Sequence, residues 1–265
     1  MARPPAALTV AGSDPSGGAG IQADLKTFHQ FGVYGTAAVA CITVQNTVRV
    51  SRVVPLDPDL VREQIVAVIE DIHPAAAKAG ALATPEVVLA VAEALRRRDF
   101  PLVVDPVMIS KHGAPLLSDP ACAVLRQHLL PIATLVTPNL AEASLLTGME
   151  IGGVPEMRQA AARIAEMGAE AVLVKGGHLS AAPVDVLYWR GEWEEYAGER
   201  IETSNTHGTG CAYSAAITAL LARGVQLSEA IRDAKAWLTE AIRSNPGIGH
   251  GSGPINHSAP VRIAR

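Results

Sequence analysis

Short apolar runs alternate with amphipathic stretches from one end of the chain to the other. This alternation confines the possible folds more than any other feature. Residues 6–11, 33–44, 75–79, 102–105, 134–136 and 171–175 read as buried strands, and 21–31, 60–72, 86–97, 121–129, 140–147 and 156–167 between them carry helical periodicity. Three helix starts are announced by a capping residue followed by proline: Asp57-Pro58, Thr84-Pro85 and Asp119-Pro120. Repeated strand–helix alternation predicts a doubly wound α/β fold, a mostly parallel sheet with helices on both faces. Residues 184–196 break the rule, with two short runs around Arg190-Gly191 that read as a hairpin. Helices over 210–223 and 228–244 follow, then a Gly-, Pro- and His-rich tail over 245–257. With no linker and no internal repeat, 1–265 reads as a single domain. Ligands in such sheets bind beyond the carboxyl ends of the strands, so the loops there are where chemistry is sought.

Composition removes several function classes. At 49% hydrophobic and 18% charged, the chain buries a sizeable core and is not disordered. A net charge of -4, few aromatics and no basic cluster longer than Arg96-Arg97-Arg98 argue against a nucleic-acid partner. No apolar run approaches the roughly 18 residues that span a bilayer. The first run is too short for a signal segment, which places the chain in the cytoplasm without membrane attachment. Cys41, Cys122 and Cys211 are odd in number and far apart, so neither a disulfide framework nor a zinc site is expected.

Five loops draw attention. The first, AGSDPSGGAG at 11–20, leads into a helix carrying Asp24; its glycines serve either a tight turn or close approach to a ligand, and the dinucleotide and P-loop spacings are absent. THGTGC at 206–211 precedes a long apolar helix, and amides from Gly208 to Cys211 at a helix start form an anion hole. Cys211 then stands where a thiol pKa is lowered, unless it is there simply to pack. Asn139 and Glu142 read as a capping box, or, with Asp105 on the same rim, as carboxylates near a magnesium–nucleotide site. Lys175, one of five lysines, closes a strand before two glycines, where a point charge neutralises a transferring phosphoryl group. Gln45-Asn46-Thr47 serves as a turn or reads a heterocycle's edge, and His178 and His207, without partners at metal spacing, read as structural or peripheral.

Seven segments in order carry a resemblance: AGSDPSGGAGIQADLKTF at 11–28, QNT at 45–47, DPVMISKHG at 105–113, TPNLAEA at 137–143, KGGHL at 175–179, NTHGTGCAYSAAI at 205–217 and GHGSGPINH at 249–257. Together they resemble the bacterial hydroxymethylpyrimidine/phosphomethylpyrimidine kinases of thiamine biosynthesis, within the ribokinase-like superfamily. The resemblance implies that ATP, with Mg²⁺, phosphorylates the primary alcohol of 4-amino-5-hydroxymethyl-2-methylpyrimidine and then adds a second phosphate. By motif it implies an anion hole of Gly208, Gly210 and Cys211, with Cys211 where related sugar kinases have an aspartate base. Lys175 would stabilise the phosphoryl charge; Asn139 and Thr209 would join it in holding the nucleotide, with Asp105 and Glu142 next to the metal. Gln45 and Asp24, with the Gly12 backbone, would grip the pyrimidine edge. A homodimer and closure over the substrate are implied as well.

Two segments depart from the family pattern. Where the family usually reads Lys-Ile-Gly-Met-Leu, with the Met beside the pyrimidine, this chain has Lys78-Ala79-Gly80-Ala81-Leu82. Where it reads Thr-Leu after the cysteine, this chain has Ala212-Tyr213. The two alanines keep a pyridoxal/pyridoxine kinase on the same fold in view as the closest rival. A non-catalytic binder of a vitamin precursor is the rival from another class.

Overall fold

The computed structural model describes residues 3–108, 117–177, 179 and 182–262. Nine strands form one sheet: β1 (Ala6–Ser13), β2 (Tyr34–Gln45), β3 (Val50–Pro55), β4 (Ala76–Ala79), β5 (Leu102–Val104), β6 (Leu135–Val136), β7 (Ala171–Val174), β8 (Val184–Trp189) and β9 (Glu192–Ala197). Their order is β3-β2-β1-β4-β5-β6-β7-β8-β9. From β2 to β7 neighbours run parallel, and antiparallel strands close both edges, β3 on one side and the β8–β9 hairpin on the other. The connection leaves β1 in one direction to β2 and later returns to its other side at β4. The carboxyl ends of β1 and β4 therefore flank the topological switch point, where a crevice opens.

Helices cover both faces, as the alternation predicts. α2 (Pro58–Asp71), α3 (Pro85–Leu95), α4 (Asp119–Val124), α5 (Leu140–Thr147) and α6 (Val154–Ala165) lie on one side, and α1 (Gly20–Gln30), α7 (Thr209–Ala222) and α8 (Leu227–Arg243) on the other. Each side has its own core. Leu8 and Val10 pack with Ile65, Val91, Leu129 and Ile164, while Ala7, Val103 and Leu173 pack with Phe28, Ile217, Leu220 and Trp237. The side alternates residue by residue along a strand, as the pleat requires. In β4, Ala77 and Ala79 face the first core, so Lys78 shares the α1–α7 side with Ala76.

Three local expectations are corrected. β3 goes unrecognised in the sequence because it is a mostly exposed edge strand with polar Ser51 and Arg52 and a closing Pro55. The cap before α4 is Ser118, whose hydroxyl accepts from the Ala121 amide; Asp119 is already helical. The helix expected over 121–129 is α-helical only to Val124, then widens into a π turn at Leu125–Leu129.

Candidate active site

The crevice is assembled from the ends of β1, β4, β5, β6 and β7 and the start of α7. At the end of β1 the register with β2 slips between Ala11 and Gly12. A Cβ at Gly12 would lie 2.6 Å from the Cys41 sulfur, so a side chain there would force Cys41 to move. The loop beyond is organised by Asp14. Its carboxylate accepts from the Ser16 amide at 2.9 Å, the Ser16 hydroxyl at 2.7 Å and the Ala19 amide at 2.9 Å, and sits 2.8 Å from His207 Nε2. Burial alone would raise the Asp14 pKa; the hydrogen bonds from His207 and Ser16 outweigh it and hold the carboxyl below its ordinary range.

His207 precedes the anion loop. Gly208 adopts a left-handed conformation (φ 76°), and a Cβ there would fall 1.7 Å from the Gly18 carbonyl, so the two glycine-rich loops cross in contact. α7 begins immediately after with no side-chain cap; the Thr209 amide donates to the Thr206 carbonyl at 3.4 Å, and the amides of Gly210 and Cys211 follow it in the first turn. A Cβ at Gly210 would lie 3.3 Å from Lys175 Nζ and 3.7 Å from Asp105 Oδ2, which puts the ammonium group against the helix start. Cationic charge and helix dipole meet at one point, an arrangement suited to a phosphoryl group.

Lys175 is steered there by backbone and charge. Its amide donates to the Pro138 carbonyl at 2.8 Å, and its Nζ pairs with Asp105 Oδ1 at 2.8 Å. Burial works against the Lys175 charge, but Asp105 and Glu142 more than compensate and raise its pKa. Asp105 also accepts from the Ser214 hydroxyl on Oδ2 at 3.2 Å. It therefore anchors Lys175. Asn139 and Glu142 form the capping box of α5: the Asn139 side chain accepts from the Glu142 amide at 2.9 Å and Glu142 Oε2 from the Asn139 amide at 2.8 Å. Burial and the Asp105 charge together push Glu142 up to about 7, with Lys175 opposing.

Beneath the anion loop lies a fully buried ion pair. Lys78 Nζ meets Asp24 Oδ1 at 2.7 Å and donates to the Cys211 carbonyl at 3.3 Å, and Thr9 donates to Asp24 Oδ2 at 2.6 Å. Desolvation disfavours the Lys78 charge, and the carboxylates of Asp24 and Asp105 hold it. Asp24 has no exposed surface, so the expectation that it grips a ring edge is corrected: it props the floor. The expected lowering of the Cys211 pKa is also overturned. Burial raises the thiol to about 11, the Lys78 charge lowers it too little, and Asp24 and Asp105 add to the rise.

Gln45 and Gly12 reach the crevice rim, and Thr209 opens α7. His207 is the residue most underrated by its sequence context. It is buried, ties Asp14 to Gln45 and bridges to Pro254 of the tail. Asp14 and Lys78 escape notice as well, although a lysine inside the apolar run 75–79 was a legible signal. Ala79 ends β4 with its side chain in the first core, whereas the Ala81 carbonyl comes within 3.8 Å of a Cβ at Gly12. His178 and residues 109–113 of the DPVMISKHG segment lie outside the described residues. A cavity of 450 Å³ between β9 and α8, lined by Tyr196, Arg232 and Lys235 among others, shares no residue with this constellation.

Comparison with known proteins places these features in a family context. The family model described as phosphomethylpyrimidine kinase matches residues 14–256. A hydroxymethylpyrimidine/phosphomethylpyrimidine kinase of Synechococcus elongatus is 44% identical over 262 residues, covering 97% of this chain and 98% of its own. Among solved structures, the ADP complex of Bacillus subtilis pyridoxal kinase superposes with a TM-score of 0.90 at 41% identity, covering 97% of this chain and 98% of the other. The phosphomethylpyrimidine kinase of Clostridium difficile gives 0.80 at 43% identity, covering 90% and 99%.

Proposed function

The chain belongs to the phosphomethylpyrimidine kinase family, and from that premise we propose that it transfers the γ-phosphoryl group of ATP to 4-amino-5-hydroxymethyl-2-methylpyrimidine and then phosphorylates the monophosphate, in thiamine biosynthesis. The observation that carries the reading is the Lys175 ammonium held against Gly210 at the N-terminus of α7, with Cys211 as the next residue. The substrate hydroxyl attacks the γ-phosphorus in line. A new O–P bond forms as the bond to the ADP oxygen breaks. Lys175 and the amides of Gly208, Gly210 and Cys211 stabilise the charge on the transferring oxygens, and ADP leaves with the displaced pair of electrons. The alcohol proton passes to the Cys211 thiolate. This is a minority form with the thiol at about 11, but it suffices because proton loss is late in a loose transition state.

Asn139 and Thr209 contact the nucleotide. Among the described residues no three His, Cys, Asp or Glu side chains converge as a cage. Glu142 would approach a nucleotide-bound Mg²⁺ from the start of α5, through water, which suits an ion that keeps much of its hydration. Bound there, Mg²⁺ supplies charge neutralisation at the phosphates. Gln45 and the Gly12 backbone face the ring. The enzyme is read as a cytoplasmic homodimer that binds neither nucleic acid nor membrane; among the described residues no helix is long and apolar enough to cross a bilayer.

A second reading, pyridoxal kinase, is favoured by the small Ala81 beside Gly12 and by the pyridoxal kinases among the similar structures. A coupled assay of ADP release with both rings decides between them. Mg-dependent turnover of the aminopyrimidine alcohol and of its monophosphate is expected. A clear preference for pyridoxal overturns the proposal, and no turnover of either ring points to a non-catalytic binder.

A further inference from the structure

We infer that the Asp14–His207 pair fixes which way the Gln45 amide faces, and thereby which ring edge the site accepts. The inference rests on the reading of Gln45 as the residue that grips the ring. Asp14 receives hydrogen bonds from the Ser16 amide and hydroxyl and from the Ala19 amide. A carboxylate so surrounded by donors stays ionised and can only accept. The hydrogen between His207 Nε2 and Asp14 Oδ2, 2.8 Å apart, therefore sits on the imidazole nitrogen.

The Gln45 amide lies 3.2 Å from that same nitrogen. With its NH₂ turned to His207, two N–H donors face each other. Rotated by half a turn about its last bond, the amide sets Oε1 beside the imidazole N–H instead, and hydrogen bonding decides between the two orientations. The NH₂ group then takes the place 3.3 Å from the Thr43 hydroxyl. That hydroxyl gives its own hydrogen to the Ser13 carbonyl at 2.9 Å and has a lone pair to receive one. Every donor now meets an acceptor. The imidazole itself is held firmly: its residue's amide donates to the Gly253 carbonyl at 3.0 Å, and a Cβ on Gly18 would lie 2.4 Å from its Cδ2.

So oriented, Gln45 has one lone pair on Oε1 and one hydrogen on Nε2 left over, side by side. An aminopyrimidine offers the complement, an exocyclic amino hydrogen next to a ring-nitrogen lone pair, the same pairing by which glutamine reads adenine. A pyridoxal ring has no amino group beside its nitrogen, so at its nitrogen edge it satisfies only half of the pair. Asp14 and His207 are thus positioning residues for ring selection, and neither needs to touch the substrate.

Two measurements test this. A long-range ¹H–¹⁵N spectrum of the unmodified protein reads the His207 tautomer directly; a protonated Nε2 at neutral pH is expected, and an unprotonated Nε2 overturns the inference. In kinetics, His207→Phe should raise the KM of the aminopyrimidine alcohol about tenfold, with a smaller change in kcat and little change for pyridoxal. His207→Gln, whose amide N–H takes the place of the imidazole N–H, should restore most of the preference. If Gln45→Ala leaves pyrimidine affinity intact, the reading of Gln45 itself fails. If Gln45→Ala weakens it while His207→Phe leaves the ring preference unchanged, only the present inference fails.

Discussion

Cys211 shows how a position and its surroundings can pull a single group in opposite directions. The helix start favours a thiolate, whereas burial beside Asp24 and Asp105 keeps the thiol neutral at about 11. Cys211→Ala is expected to lower kcat by about a hundredfold with far less effect on KM. In the parent enzyme kcat/KM should climb with pH on the alkaline side, because the thiolate fraction grows as pH approaches the thiol pKa, and that limb should vanish in the variant. Steady-state pH profiles of the two proteins check both points. Glu142, raised to about 7, makes a prediction of the other kind. Its folded pKa lies above its unfolded value, so its protonated form favours the fold. That contribution is complete below the unfolded value and is lost as pH rises through 7. Glu142→Gln should remove this part of the pH dependence in denaturant titrations. It should also abolish the gain in Mg–nucleotide affinity that deprotonation brings near pH 7, measurable by calorimetry. The sequence makes both residues visible as candidates, Glu142 after a strand end and Cys211 at a helix start. It hides their ionisation, which depends on Lys78, Asp24 and Asp105, far away along the chain.

The anion hole depends on how two loops and a helix meet. Strand ends, glycines and the start of α7 are readable in the sequence because each has a local cause, in periodicity or capping. The crossing of Gly18 and Gly208 has none: it arises only when β1 and the segment before α7 are brought together. Gly208→Ala combines a left-handed backbone with a Cβ 1.7 Å from the Gly18 carbonyl. It should cost about 1–3 kcal/mol of stability and most of kcat/KM. A denaturation curve beside the kinetics separates the two losses. The edge strand β3 is missed for a related reason, since an exposed antiparallel strand is specified by its partner β2 more than by its own apolar content. The tail over 245–257 reads in the sequence as irregular. In the structure it straps the site: Ser252 donates to the Thr47 carbonyl at 2.8 Å, and Gly253 to the Asn205 side chain at 3.0 Å.

At the scale of the whole molecule, two apolar cores flank one sheet, and a fully buried charged pair, Lys78 with Asp24, lies on the side of the second. The fold class and both helix layers follow from alternation and burial alone, whereas Lys78 and Asp24, 54 residues apart, become partners only through the topology. Removing one member leaves an uncompensated charge under the anion loop. Lys78→Met should destabilise the protein by about 3–5 kcal/mol, and adding Asp24→Leu should recover part of that loss. Chemical denaturation of the single and double variants measures it. The strap has a consequence for biosynthesis. A chain leaves the ribosome from its N-terminus, so every strand and the start of α7 emerge before residues 245–257 do. The strand end that carries Gln45 and Thr47 is then pinned by a segment translated after every described strand and after α7 and α8, so the residues of phosphoryl transfer are made before the strap that holds this side of the site.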